Sequence, residues 1–180
     1  MAKNSNKTIG ILGGSFDPAH KGHLAISKIA LKKINLRCIY WLITKKNPLK
    51  KKVHFPLEDR IKLAKKATKN FSKIQVLYLD KIVKSSRSIN LVNYLIKKKK
   101  FKDIYFIIGS DILLEFHKWK SWKKLLKLTK LVVFSRRGYD KKSKKSIVVK
   151  FLKNNKITYI KNKPILISSS SIRNKLIKKF

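Results

Sequence analysis

The sequence predicts an α/β protein built on a doubly wound, mainly parallel sheet with helices on both faces. Short apolar runs alternate with segments whose apolar residues recur every three or four positions, as strands alternate with helices. The run 103–108 is strongly apolar, which indicates a central strand covered on both sides. Ligands in such sheets bind beyond the carboxyl ends of the strands, and the polar motifs of this chain follow its predicted strands.

Six segments are predicted as strands because they are short and rich in β-branched and aromatic residues. In chain order they are 8–12, 38–43, 74–79, 103–108, 131–134 and 157–160. The segments 44–55 and 135–139 show neither a strand nor a helix pattern and are predicted as loops.

The helices are predicted from apolar periodicity and from residues that favour helix ends. They are expected after His23, from Pro56, from Ser88, after Asp111, over 147–152 and from Ser169 or Ser170. Glu58 and Asp59 fall in the first turn of the second helix, where the helix dipole favours acidic residues. Ser88 is predicted to cap the third helix through its hydroxyl.

A single domain is the natural expectation for 180 residues, with residues 1–7 as a loose tail. No apolar run reaches the roughly 18 residues of a membrane-spanning helix, and the polar N-terminus lacks the apolar core of a signal peptide. The lone Cys38 excludes an internal disulfide and fits a reducing, cytoplasmic location. We therefore expect a cytoplasmic protein without a membrane partner.

The net charge is +39 at pH 7, an excess typical of proteins that bind nucleic acids or anionic surfaces. However, only six of the 47 basic residues are arginine, the residue that recognises bases and phosphates in a bidentate manner. The lysines are dispersed through every segment instead of forming one face or tail. This pattern predicts weak, salt-sensitive binding to nucleic acids and no specific nucleic-acid partner.

The stretch 13–23, Gly-Gly-Ser-Phe-Asp-Pro-Ala-His-Lys-Gly-His, joins the first strand to the first helix. Two glycines let the backbone approach a ligand closely, and the N–H groups at a helix start favour an anion. His20 and His23 lie near one face of the first turn because they are three residues apart. A phosphate at this point would meet backbone donors, the helix dipole and two imidazoles. Asp17 is expected to shape the turn through local hydrogen bonds.

A zinc site is the other chemistry that two histidines at this spacing could indicate. Zinc requires three protein ligands in a catalytic site and about four in a structural one. The remaining candidates, His54, His117 and Cys38, show no ligand spacing, so the phosphate interpretation is preferred.

Three stretches together resemble a known enzyme family. The first, 13–23, resembles the signature of the nucleotidyltransferase superfamily with the (H/T)xGH motif. The stretches 106–111, Phe-Ile-Ile-Gly-Ser-Asp followed by Trp119, and 167–173, Ile-Ser-Ser-Ser-Ser-Ile-Arg, are similar more narrowly to bacterial nicotinate-nucleotide adenylyltransferases. The resemblance implies a Rossmann-like nucleotidyltransferase fold. It also implies adenylyl transfer from ATP to nicotinate mononucleotide in NAD biosynthesis, giving deamido-NAD and pyrophosphate.

The resemblance also implies residue roles. His20 and His23 are the expected catalytic residues, as donors to the ATP phosphates. The expected ATP-binding residues are Gly13, Gly14, Ser15, Phe16, Gly109, Ser168, Ser169, Ser170 and Arg173. Those expected to bind the mononucleotide are Ser86, Ser88, Asp111, Trp119 and Arg136. Mg²⁺ is the expected cofactor, carried by the ATP phosphates and without a protein metal site.

Three departures from the family pattern bear on the acceptor. Segment 47–51, Asn-Pro-Leu-Lys-Lys, replaces Pro-Pro-His-Lys, Arg87 replaces a tyrosine, and Arg137 stands where many members have proline beside Arg136. A pantetheine-phosphate adenylyltransferase, which shares the first motif, is the alternative enzyme, and the third motif and Trp119 argue against it. A basic nucleic-acid-binding protein is the alternative from another class. The sequence shows no recognisable nucleic-acid-recognition motif, which argues against it.

Overall fold

The computed structural model describes residues 8–45, 52–153, 157–162 and 167–177. The predicted tail, 1–7, and part of the predicted loop, 46–51, lie outside the described residues. Six strands form one sheet in the order β3-β2-β1-β4-β5-β6, with every neighbouring pair parallel. Their bounds are β1 Thr8–Gly14, β2 Cys38–Ile43, β3 Ile74–Leu77, β4 Asp103–Gly109, β5 Lys130–Phe134 and β6 Ile157–Ile160.

Nine α-helices lie in the described part of the chain. Their bounds are α1 Lys21–Ile34, α2 Leu57–Thr68, α3 Asp80–Val83, α4 Ser88–Lys99, α5 Ser110–Glu115, α6 Trp122–Leu128, α7 Asp140–Ser143, α8 Ile147–Leu152 and α9 Ser169–Ile177. A 3₁₀ turn, Phe116–Lys118, follows α5. Helices α3, α6 and α7 were not expected from the sequence; α3 and α7 span four residues each, about one turn, which is too short to show an apolar period.

Both faces of the sheet are buried, which confirms the doubly wound α/β fold. Ile9 and Ile11 of β1 belong to the core cluster on one face, and the intervening alternation places Leu12 in the cluster on the other. Residues of α4, α5, α6 and α8 complete the first cluster, and residues of α1 and α2 complete the second. No helix among the described residues is long and apolar enough to cross a membrane.

The strand order reverses between β1 and β4, the two central strands. From β1 the chain proceeds outwards to β2 and β3, then returns to β4 and proceeds outwards again to β5 and β6. The connections that follow β1 and β4 therefore leave the sheet on opposite sides and open a crevice between them. The central place of β4, Asp103–Gly109, confirms the prediction made from its apolar sequence.

Candidate active site

A cleft of about 780 Å³ lies at the carboxyl ends of the central strands, within the size range of ligand sites. It is lined by every predicted site residue except Arg173. We call its two parts the donor half and the acceptor half. The donor half consists of segment 13–18, His20 and His23. The acceptor half consists of segment 86–88, Asp111, Trp119 and Arg136.

The two histidines of the donor half are oriented by the backbone at the start of α1. His20 is the N-cap residue, and its Nδ1 accepts a hydrogen bond from the amide of Gly22 at 3.1 Å. The Nδ1 of His23 accepts from the amide of His20 at 3.2 Å, which completes a reciprocal capping box. Because each Nδ1 is an acceptor, each neutral ring carries its hydrogen on Nε2.

His20 is neutral at physiological pH. Burial, with a smaller contribution from the charge of Arg136, lowers the pKa of His20 from 6.5 to about 4. With Nδ1 as an acceptor in each ring, Nε2–H is the donor that His20 and His23 can offer to a ligand in the cleft.

Aromatic rings pack behind the two histidines. The ring centroids of His20 and His23 are 3.8 Å apart, and Phe16 lies 4.7 Å from His23. Behind them Trp41 of β2, fully buried, stacks on Phe16 at 5.0 Å. The Nε1–H of Trp41 donates to the Oγ of Ser27, which in turn donates to the carbonyl of His23, both at 2.8 Å. The first turn of α1 is thereby fixed to the sheet.

The turn itself begins later than the sequence suggested. Gly13 and Gly14 are the last residues of β1, paired with Leu42 and Ile43 of β2. The turn starts at Ser15, and Phe16 adopts a positive φ of 46°. This left-handed conformation costs an ordinary residue about 1–2 kcal/mol, so neighbouring groups must hold it in place.

Asp17 holds that turn through distant partners and not through the local bonds expected. Its side chain is buried, and its two carboxylate oxygens accept from the amides of His54 and Phe55 at 3.0 and 2.8 Å. These partners are more than thirty residues away in the chain, so local turn chemistry could not indicate them.

Arg60 of α2 is the residue of this region that the sequence analysis missed. It is 1% exposed and donates four hydrogen bonds to the carbonyls of Ser15, Thr44, Lys45 and Phe55. A signal was present in the sequence, since Arg60 lies three residues after Leu57 and four before Ala64, on the apolar face of the predicted helix.

The third motif packs against the same turn. Ser169 Oγ donates to the carbonyl of Pro18 at 2.9 Å, and the guanidinium of Arg173 donates to the carbonyl of Asp17. Arg173 Nη1 also lies 3.7 Å from the Asp17 carboxylate, and Nη2 donates to Ser170 at 3.0 Å. The structure thus brings the hydroxyls of this motif to the cleft and turns Arg173 towards the backbone of the turn.

In the acceptor half, Arg136 and Asp111 form an ion pair of 2.6 Å. The other carboxylate oxygen of Asp111, Oδ1, is buried and has no hydrogen-bond partner. A Cβ at position 109 would lie too close to this oxygen, so a larger residue there would displace the Asp111 carboxylate. Arg137 also lines the cleft beside Arg136, so the structure does not separate the two arginines by position.

Trp119 presents one face to the cleft because the other is covered. Phe116 stacks on its ring at 4.8 Å, and Phe106 contacts it edge-on at 5.9 Å. The indole Nε1 is buried without a hydrogen-bond partner.

Helix α4 also borders the acceptor half. It starts with Ser88, and its N-cap position belongs to Arg87, not to Ser88 as predicted. The side chain of Arg87 does not cap this helix; the amide of Arg87 donates to Ser85 Oγ at 3.2 Å, and the amides of Asn90 and Leu91 donate to the carbonyl of Arg87.

Known proteins share both the sequence and the fold. Residues 11–175 match the cytidylyltransferase-like family model. A protein of Pelagibacter ubique named "Probable nicotinate-nucleotide adenylyltransferase" is 49% identical, and the match covers 94% of this chain and 94% of that protein. An Aquifex aeolicus protein of the same name is 33% identical over 89% of this chain and 98% of its own length.

A solved structure confirms the architecture. Plasmodium falciparum nicotinic acid mononucleotide adenylyltransferase complexed with NaAD superposes with a TM-score of 0.75 at 22% identity, covering 96% of this chain and 89% of that one. The fold is therefore shared, and the sequence matches narrow the group. The chain belongs to the cytidylyltransferase-like family and, within it, to the nicotinate-nucleotide adenylyltransferases, as its three motifs predict.

Proposed function

We propose that this chain transfers the adenylyl group of ATP to nicotinate mononucleotide, yielding deamido-NAD and pyrophosphate. One observation carries the proposal. A single continuous cleft joins a helix start bearing two imidazole donors to a half that holds an indole, a guanidinium and an uncapped helix start. The donor half suits a polyphosphate, and the acceptor half suits an aromatic ring carrying a carboxylate and a phosphate.

The reaction needs positioning more than proton transfer. An oxygen of the acceptor phosphate attacks the α-phosphorus of ATP, a new O–P bond forms, and the bond to the leaving pyrophosphate breaks in line with it. The nucleophile is already an anion, so no general base is required. The protein supplies hydrogen-bond donors directed at the charge that develops on the phosphate oxygens.

His20 and His23 supply those donors through Nε2–H. The low pKa of His20 keeps its ring neutral without ligand, yet a neutral imidazole with an acceptor at Nδ1 still donates from Nε2. The dipole of α1 favours negative charge on the same side, whereas the amides of His20, Gly22 and His23 are already bonded within the capping box and first turn. Because the capping box fixes both rings before ATP binds, little reorganisation accompanies the reaction.

Binding of the acceptor requires an exchange of partners in its half of the cleft. The acceptor phosphate would take Arg136 from Asp111, with Arg137 as the neighbouring guanidinium. Both oxygens of the Asp111 carboxylate, Oδ2 released by Arg136 and the buried Oδ1, could then accept hydrogen bonds from ribose hydroxyls. The nicotinate ring would stack on the open face of Trp119, and its carboxylate would accept from the amides of Ser86 and Ser88, with that of Arg87 available only if it releases Ser85 Oγ.

The ATP polyphosphate would extend towards Ser168, Ser169 and Ser170, whose motif is fixed to the turn of the donor half. Arg173 would serve the polyphosphate only after releasing the carbonyl of Asp17. Mg²⁺ neutralises phosphate charge when it is bound. Asp111 is the one carboxylate among the described residues that line the cleft, so we propose that the ion is held by the ATP phosphates.

A cytoplasmic location and the absence of a specific nucleic-acid partner belong to the same proposal. The first is supported by the single cysteine, which suits a reducing compartment. The second is supported by the dispersed lysines, which would give salt-sensitive binding without sequence preference.

The test is pyrophosphate release from ATP and Mg²⁺ with a panel of phosphate acceptors: nicotinate mononucleotide, nicotinamide mononucleotide and pantetheine 4′-phosphate. We expect the first to give the highest kcat/KM, with deamido-NAD identified by mass spectrometry. Preference for pantetheine 4′-phosphate, or no turnover with any pyridine mononucleotide, would reject the assignment.

A further inference from the structure

Arg60 is unusual among the charged residues of this protein. It lies on α2, whose neighbouring Glu58 and Asp59 are exposed, yet its own side chain is 1% exposed. In the described part of the chain no carboxylate forms an ion pair with it. Burying a guanidinium without a paired anion is costly unless hydrogen bonds replace the lost water.

Backbone carbonyls satisfy the buried guanidinium almost completely. Nη1 donates to Ser15 at 2.6 Å and to Thr44 at 2.9 Å, Nη2 donates to Lys45 at 3.0 Å, and Nε donates to Phe55 at 3.0 Å. Four of the five donors of the side chain are therefore used. An apolar residue could fill the volume of the side chain but could not bind these four carbonyls.

The carbonyls belong to three segments that meet behind the donor half. Ser15 opens the turn, Thr44 and Lys45 follow β2, and Phe55 precedes α2. Ser15 and Thr44 line the cleft, so Nη1 joins two residues of its wall from behind. The amide of Phe55 donates to Asp17 while its carbonyl accepts from Arg60, which closes a loop of bonds around the turn.

The turn enclosed by these bonds carries the strained Phe16 and leads directly to His20. Without the guanidinium, the carbonyls of Ser15, Thr44, Lys45 and Phe55 would lose the one side chain that bonds to all four. We infer that Arg60 is a positioning residue for adenylyl transfer, which holds the turn 15–17 so that His20 and His23 meet the reacting phosphates. This inference rests on the proposed function.

Arg60→Met and Arg60→Lys test it, with Thr68→Ala as a matched control. Thr68 is also buried on α2, but its hydroxyl bonds only to carbonyls of the same helix. Kinetics are measured at a temperature where circular dichroism shows each variant folded. We expect Arg60→Met to lower kcat about 100-fold, the effect of misplacing reacting groups by about 1 Å, with the KM for ATP within about threefold. Arg60→Lys should recover part of the loss, and Thr68→Ala should keep wild-type kcat.

Two results would overturn the inference: folded Arg60→Met with kcat within threefold of wild type, or an equal loss in Thr68→Ala. If Arg60→Met does not fold, the kcat of Arg60→Lys tests the inference by itself. Lysine keeps the positive charge but lacks the planar array of N–H donors that bonds the four carbonyls. A loss of about tenfold supports positioning, and unchanged turnover rejects it.

A measurement without substrate separates this inference from the proposed function. NMR titration of the His20 ring in the ligand-free protein should give a pKa of about 4 in wild type and in Thr68→Ala. In Arg60→Met the value should rise towards 6.5 as the loosened turn admits water, with His23 and Arg136 still facing the ring. An unchanged value would contradict the role of Arg60, even if wild-type protein made no deamido-NAD.

Discussion

The two halves of the cleft differ in how completely their polar groups are bonded before a substrate arrives. In the donor half, both Nδ1 atoms of the histidines and the carboxylate of Asp17 have partners, as does the guanidinium of Arg60 that lies behind this half. In the acceptor half, Asp111 Oδ1 and Trp119 Nε1 are buried and lack partners, and α4 has no side-chain cap.

The difference indicates that the two halves of the cleft have different roles in the reaction. Groups that stabilise the reacting phosphates are fixed in advance, which spares reorganisation during the reaction. Groups that recognise the acceptor are left unsatisfied, so a molecule lacking the matching atoms would leave buried polar groups unpaired. We therefore expect substitutions in the donor half to lower kcat and substitutions in the acceptor half to raise KM.

The largest effect is expected for His20→Ala and His23→Ala. Each removes one preorganised donor, and such losses typically lower kcat about 100- to 1,000-fold. Steady-state pyrophosphate release gives the rate, and circular dichroism establishes that the fold is retained. Near-wild-type turnover in both variants would show that the imidazoles do not serve the phosphates.

The second-largest effect is expected for the choice between two acceptor substrates. The amides of Ser86 and Ser88, on either side of the Arg87 amide that donates to Ser85 Oγ, would bond a carboxylate but oppose the N–H₂ of a carboxamide. The kcat/KM for nicotinate mononucleotide should therefore be about 100-fold higher than that for nicotinamide mononucleotide. Arg87→Ala shows whether the guanidinium at this position adds to the preference. Comparable kcat/KM for the two mononucleotides would mean that this segment does not select.

A smaller effect is expected for Trp119→Ala and Arg136→Ala. Loss of ring stacking or of a phosphate contact should raise the KM for the mononucleotide about tenfold, with the KM for ATP little changed. Arg137→Ala is the comparison for Arg136→Ala, since both side chains line the cleft. A larger effect of the Arg137 substitution would move the phosphate assignment to that residue, and an equal rise in both KM values would contradict the division between the halves.

The smallest effect concerns stability and pH. The pKa of His20 is about 4 in the folded protein against 6.5 for the free side chain, so the unfolded chain takes up a proton first as the pH falls. His20 therefore contributes a loss of stability between pH 6.5 and 4. Urea unfolding at pH 7 and pH 5 should show a smaller decrease for His20→Asn than for wild type. Equal decreases would show that the ring is not held neutral by the fold.

Much of this architecture follows from local sequence. The six strands and the longer helices α1, α2 and α4 have periodic apolar residues, and their parallel arrangement brings the motifs to one edge of the sheet. Residues that line the cleft could be predicted because their motifs directly follow strands or begin helices.

What escaped prediction depends on distant contacts. Asp17 bonds to the amides of His54 and Phe55, and Arg60 binds carbonyls as far away as Ser15, partners that only the folded chain brings together. The low pKa of His20 arises from burial, and the Asp111–Arg136 pair joins side chains that follow different strands. Apart from the position of Arg60 on the apolar face of its helix, none of these leaves a local pattern in the sequence.

The buried indole of Trp41 gives the protein an optical reporter of its own. Trp41 is fully buried against Phe16 and lies 5.8 Å from the ring of His23, whereas Trp119 and Trp122 are partly exposed. In a protein with Trp119 and Trp122 replaced by phenylalanine, the emission of Trp41 would therefore report on the packing of Phe16 and His23 against its ring as ATP enters the cleft.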